Sequence, residues 1–118
     1  MNETQYKIRA LKELKKQLPG AFIIKISDKF HSGIPDIFIL WNGIFAAVEL
    51  KVKNNPATKL QIIILARIAA AGGITQICRD IGDGSGIKQI RAVCDAIKEK
   101  YERTRIVDRV QNSQAAQG

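Results

Sequence analysis

Asp36, Glu49 and Lys51 are the residues of this chain whose types and spacing point most directly to chemistry. They belong to a stretch that reads Gly33-Ile34-Pro35-Asp36, Ile37-Phe38-Ile39-Leu40-Trp41, Asn42-Gly43, Ile44-Phe45-Ala46-Ala47-Val48 and Glu49-Leu50-Lys51. Two β-rich runs around Asn-Gly predict a tight hairpin, because a type I′ turn needs positive φ at both central residues. With Asn42 and Gly43 at the tip, Trp41 faces Ile44 and, counting back, Asp36 faces Glu49. Facing residues project to one side of a sheet with Cβ atoms about 5 Å apart, and alternation puts Lys51 on that side too. Two facing carboxylates repel each other by up to about 1 kcal/mol. A hard divalent cation resolves the conflict, since Mg²⁺ is held through one or two carboxylates together with substrate phosphate. The alternative is a solvated face whose charges do no chemistry. Phe38, Leu40, Phe45 and Ala47 fall on the same side and predict instead a largely buried face.

The flanking elements must hold that hairpin. Residues 2–18 read as an amphipathic helix with Ile8, Leu11, Leu14 and Leu18 as its apolar stripe, stopped by Pro19-Gly20. Arg9, Lys12, Glu13 and Lys16 fall on the opposite face. Glu3 extends the apolar stripe, so it either reaches toward a cleft or merely complements the helix dipole. Residues 21–28 read as a strand, followed by the polar loop Lys29-Phe30-His31-Ser32. His31 is the one histidine of the chain. It is either a surface residue or, a few positions from Asp36, a phosphate contact, and Lys29 has the same standing.

After the hairpin, Asn55 is a plausible N-cap with Pro56 at the first helical position. The helix is expected over 56–71, apolar nearly all round at Ile62-Ile63-Ile64-Leu65 and therefore largely buried. Gln61 shares a side with Leu65. It is either semi-exposed or, with a packed amide needing a partner, close to the carboxylates at the end of the Lys51 strand. Residues 74–81 read as a fourth strand. Gly82-Asp83-Gly84-Ser85-Gly86 lacks the spacing of a phosphate-binding loop and reads as a connection. A third helix is expected over 87–102, and the polar composition from Thr104, above all over 111–118, predicts disorder. The order α-β-β-β-α-β-α fits a mixed sheet flanked by helices.

The bulk numbers agree with one such domain. The chain has 118 residues and is 46% hydrophobic, enough for a core. Nineteen Lys and Arg against eleven Asp and Glu give a net charge of +8, which points to a polyanion such as nucleic acid. Cys78 and Cys94 lack metal-ligand spacing and read as buried free thiols. The N-terminus is charged and helical rather than apolar, and no run approaches the roughly 20 apolar residues that span a bilayer. The expectation is a cytoplasmic protein with no membrane partner.

Pro35-Asp36 followed by Glu49-Leu50-Lys51 resembles the PD-(D/E)XK nuclease superfamily, whose motif sits on the second and third strands of an αβββαβ core. The Gly33-Ile34-Pro35-Asp36 lead-in, the short hairpin between the acids and Gln61 soon after Lys51 look like its virus-type replication-repair (VRR-NUC) nucleases. Archaeal Holliday-junction resolvases look more distantly related. The resemblance implies a restriction-endonuclease-like α/β fold with a central mixed four-stranded sheet and an extra C-terminal helix. One nuclease domain is expected over 1–104, and the composition of 105–118, which has no counterpart in the family pattern, predicts a flexible polar tail.

The resemblance also implies roles. Asp36, Glu49 and the backbone carbonyl of Leu50 would hold Mg²⁺, or Mn²⁺ in its place. Lys51 would polarise the attacking water, Gln61 would orient the site, and Glu3 matches the acid found on the first helix of many members. Basic residues around the cleft, Lys7, Lys29, Lys53, Lys59 and Arg79, would contact the phosphate backbone, and His31 is a further candidate that the family pattern does not require. The activity implied is metal-dependent, structure-selective cleavage of branched DNA, Holliday junctions among them, by a homodimer without a small-molecule cofactor. A non-catalytic nucleic-acid-binding scaffold on the same fold, or a nuclease directed to RNA or to a specific sequence, would carry many of the same features.

Overall fold

The structure, a computed structural model, describes residues 1–26 and 33–117. The expected contacts of Lys29 and His31 lie outside the described residues. Seven elements follow in order: α1 (Glu3–Gln17), β1 (Phe22–Lys25), β2 (Ile37–Trp41), β3 (Ile44–Val52), α2 (Lys59–Ala70), β4 (Ile74–Asp80) and α3 (Gly86–Gln117). The four strands form one sheet in the order β1-β2-β3-β4. β1–β2 and β2–β3 are antiparallel, and β3–β4 is parallel. A parallel pair cannot be joined by a tight turn, and α2 provides the crossover. This is the mixed, helix-flanked α/β architecture expected from the sequence.

The hairpin forms in the register that its turn dictates. Asn42 (φ 49°) and Gly43 (φ 82°) both take positive φ, Trp41 pairs with Ile44, and Ile37 pairs with Val48. Alternation then splits the side chains between two faces. One face sends Ile37, Ile39, Ala46, Val48 and Leu50 into the core, against Tyr6, Ala10 and Leu14 of α1 and Ile90, Cys94 and Ile97 of α3. Asp36, Glu49 and Lys51 belong to the other face, where α2 packs. Two glycines let backbone and helix approach there. A Cβ on Gly33 (φ 94°) would stand 2.5 Å from Leu60 Cγ, and one on Gly73 would stand 2.7 Å from Ile68 Cγ2.

Several expectations are corrected. α1 turns Tyr6, Ala10, Glu13 and Leu14 inward, while Ile8 is 49% exposed. The wheel has two apolar arcs, and the position of α3, distant in sequence, selects between them. α2 begins at Lys59 with Thr58 as its N-cap, not at Pro56 with Asn55, because Thr58 and Gln61 form a reciprocal capping box. α2 is not largely buried: Leu65 is its one buried residue, and Ile62 and Ile63 are each 53% exposed. The site face of the sheet is buried at Ala47, Glu49 and Lys51 but opens toward the hairpin tip at Leu40 and Phe45. α3 continues to Gln117 where the sequence reading ended it near Glu102 and expected disorder from 111 onward. Nothing between Ile87 and Gln117 is a Gly or Pro, so the polar end carries no stop signal. Cys78 and Cys94 are buried free thiols, as expected. Among the described residues no helix is long and apolar enough to cross a membrane.

Candidate active site

The register that pairs Ile37 with Val48 brings Asp36, one residue before β2, opposite Glu49. The Asp36 backbone carbonyl accepts the Ile26 N–H at 2.7 Å. Its side-chain Oδ2 accepts the Leu50 N–H, also at 2.7 Å. One carboxylate oxygen of Asp36 is thus tied across the hairpin to the residue between Glu49 and Lys51. The other, Oδ1, faces Lys7 Nζ at 3.9 Å. Lys7 also lies 3.2 Å from Glu3 Oε1, one turn earlier on α1. Glu3 therefore stands one ammonium away from Asp36, at the exposed edge of the site.

Glu49 is 3% exposed. Its Oε1 accepts a hydrogen bond from Gln61 Nε2 at 3.2 Å and lies 4.0 Å from Lys51 Nζ. Its Oε2 is buried with no hydrogen-bond partner. Burial first, and then the negative charge of Asp36, push the Glu49 carboxyl up to about 8, although Lys51 and Lys7 pull the other way. Two carboxylates are held together here against their repulsion, and one oxygen is left unpaired. A buried unpaired acceptor costs about 1–3 kcal/mol.

Gln61 is aimed by its place in the helix. Its backbone N–H donates to Thr58 Oγ1 at 3.1 Å, and its side-chain Oε1 accepts the Thr58 N–H at 2.9 Å. With Oε1 committed to the cap, the amide nitrogen turns toward Glu49. Thr58 carried no expectation in the sequence reading. The spacing of Thr58 and Gln61 is the capping-box signature and could have identified it.

The donor set suits a hard divalent cation. Glu49 contributes a free buried oxygen and Asp36 a second carboxylate, both of the oxygen chemistry such ions prefer. Among the described residues no group of three or more His, Cys, Asp or Glu side chains is placed to share an ion. The carbonyl of Leu50, between the two motif residues, is the nearest further oxygen in sequence.

The remaining expected contacts separate. Lys53, two residues past Lys51, and Lys59, two before Gln61, are exposed. Arg79 has a structural duty: its Nη1 donates to the carbonyls of Lys53 and Asn55 at 2.9 and 2.7 Å, clamping the turn after β3. The glycine-rich turn is no phosphate cradle, because buried Asp80 accepts the N–H groups of Gly82 and Gly86 at 3.0 and 2.9 Å. Asp80 thereby caps α3, a role that the sequence reading missed.

Comparison with solved structures locates this arrangement. A structure described as a VRR_NUC domain superposes with a TM-score of 0.57 at 21% identity, over 76% of this chain and 95% of the other. The chain has the fold of a VRR_NUC domain. Hjc, a Holliday junction resolvase from the archaeal hyperthermophile Archaeoglobus fulgidus, superposes with a TM-score of 0.55 at 18% identity, over 69% of this chain and 70% of the other. Both likenesses agree with the resemblance drawn from the motif. No family model and no curated protein matches the sequence.

Proposed function

We propose that this chain is a metal-dependent, structure-selective endonuclease that hydrolyses phosphodiester bonds in branched DNA, with the Holliday junction as the leading substrate. The observation that carries the reading is the Asp36–Glu49 pair, with its buried, unpartnered Glu49 Oε2 beside the Lys51 ammonium. Asp36, Glu49 and the Leu50 carbonyl would hold Mg²⁺ or Mn²⁺, with Glu3 at the edge of the set. Such an ion, when bound, supplies Lewis acidity toward the phosphate and an acidified water. Glu49 binds in its ionised form, and Gln61 keeps its carboxylate turned toward the site. Lys51 sets a positive charge, largely buried from water, where negative charge develops on the phosphoryl oxygens. Lys7, Lys53 and Lys59 hold the backbone on either side, and contacts of that kind position a nucleic acid without reading its sequence.

The fold shared with a Holliday junction resolvase supports the branched substrate. A two-fold junction suits a two-fold dimer. The exposed face of α2 fits a second copy: Ile62, Ile63, Ala66 and Ala70 lie on it, and Lys59 and Arg67 are the helix's only charged residues.

The test is cleavage of labelled four-way junction, flap, splayed arm, linear duplex, single strand and RNA hairpin, with Mg²⁺, Mn²⁺ or EDTA, beside Glu49→Ala. Sedimentation of the same samples reads the dimer. Metal-dependent cutting of branched DNA, lost in the variant, is the expected result. Binding without cutting under either metal replaces the reading with a scaffold, and cutting of RNA alone replaces the substrate.

A further inference from the structure

A second charged feature lies away from Asp36 and Glu49. Arg9, Lys12, Glu13 and Lys16 of α1 and Ile87 and Arg91 of α3 line an open cleft of about 170 Å³. Four cations surround one carboxylate there. Glu13 is nearly covered and accepts hydrogen bonds from Gln17 Nε2 and Arg91 Nε, both at 2.9 Å. Those bonds, that of Gln17 first, hold the Glu13 carboxyl below its ordinary range, so it stays ionised as the anchor of Arg91. Among the described residues Arg91 is gripped through Nε alone, and its side chain is 53% exposed. Its two terminal nitrogens remain for a ligand, in the planar fork that matches a phosphate.

From these residues we infer that the α1–α3 cleft is a second nucleic-acid-backbone site, occupied by an arm of the substrate other than the one being cut. The inference rests on the nucleic-acid reading above and adds where the rest of the substrate goes. Its direction follows from the helix. Lys7, which faces Asp36, and Lys16 are nine residues apart, about 13 Å along the axis and half a turn around it. The two sites therefore look out from opposite sides of α1. A straight duplex laid over Asp36 and Glu49 turns away from the cleft, and a bent or branched substrate brings a second segment to it. A volume of about 170 Å³ takes a phosphate group with several waters, each of about 30 Å³ in the liquid.

The experiment is binding of a fluorescent four-way junction in EDTA, as a function of salt, by the whole chain and by two double variants. Lys12→Gln/Lys16→Gln removes two charges from the cleft and leaves the Glu13–Arg91 pair in place. Arg103→Gln/Arg109→Gln removes two charges from the exposed end of α3. Each lost phosphate contact lowers the slope of log affinity against log salt by about one. The cleft variant is expected to lose about two from the slope and at least fivefold in junction affinity, and the α3 variant to lose neither. An unchanged slope in the cleft variant, or equal losses in both, overturns the inference. Because EDTA removes the metal, the result stands apart from whether the chain cleaves: absent metal-dependent cutting with a cleft-dependent slope would sink the nuclease reading alone.

Discussion

Gln61 donates from Nε2 to Glu49 while its Oε1 closes the capping box with the Thr58 N–H. One side chain thus starts a helix and orients a site carboxylate, and the two roles can be separated. Gln61→Glu keeps an N3 acceptor for the cap but sets a third negative charge beside Glu49. Its melting temperature should stay near that of the parent while cleavage falls about 10–100-fold, the usual effect of losing a partner that orients a ligand. Thr58→Ala should cost about 1 kcal/mol of stability and affect cleavage less. Parental cleavage by Gln61→Glu would reduce Gln61 to a cap.

Glu49 ties stability to pH. Its carboxyl is raised to about 8 in the fold from an ordinary value of 4.5, so between those values the unfolded chain has released a proton that the folded chain still holds. Stability of the metal-free protein should therefore fall as pH rises from about 4.5 toward 8, the sign that linkage requires when the native state binds more protons. Glu49→Gln removes both the titration and the buried charge. Thermal melts in EDTA should show the variant gaining on the parent as pH rises, by about 1–2 kcal/mol near pH 8.5, the scale of an unsatisfied buried group, while cleavage is lost. A parental profile equally flat in both proteins would place Glu49 in a more solvated setting than its burial indicates.

The hairpin was legible because Asn42-Gly43 sets turn type and register together, and register alone brings Asp36 opposite Glu49. Gln61 could be placed near the site by counting along a helix that begins just past Lys51. Longer-range features were not legible. Which arc of α1 faces inward depends on α3, some 80 residues away, so spacing alone puts Ile8 on the buried stripe and Glu13 on the opposite face, where the fold exposes Ile8 and buries Glu13. The apolar run of α2 promised burial, but that helix forms a single layer over one sheet face and leaves Ile62 and Ile63 outside. Polar composition at the end of α3 is a statement about solvation rather than a helix stop. Asp80 falls at the end of the fourth predicted strand, and nothing in that position announces the two glycine N–H groups that fold back onto its carboxylate.

Asp36 has a structural duty as well as a charge. Its Oδ2 accepts the Leu50 N–H, so Asp36→Ala orphans a buried donor and should cost about 1–3 kcal/mol in stability, confounding any loss of cleavage. Asp36→Asn keeps an oxygen for that N–H and removes only the charge. We expect Asp36→Asn to melt close to the parent, to bind junction DNA in EDTA at least as well, and to lose cleavage with Mg²⁺. Retained cleavage by this variant would leave Asp36 with its structural duty alone.

Lys51 separates transition-state stabilisation from anchoring. Its ammonium is largely buried and lies 4.0 Å from Glu49 Oε1, too enclosed to serve chiefly as a surface contact for backbone phosphate. A charge placed where negative charge develops acts on rate, and losing one such group costs about 10²–10³-fold in turnover. Lys51→Met keeps much of the buried aliphatic stem and removes the charge. Single-turnover cleavage of a bound junction should slow by about that factor, while the dissociation constant in EDTA should change no more than about threefold, a difference below 1 kcal/mol. The salt slope of binding should also hold, because slope counts phosphate contacts and Lys51 makes its contribution after binding. If affinity and slope fall together while the single-turnover rate persists, Lys51 is an anchor, and the rate acceleration must come from Asp36, Glu49 and what they hold.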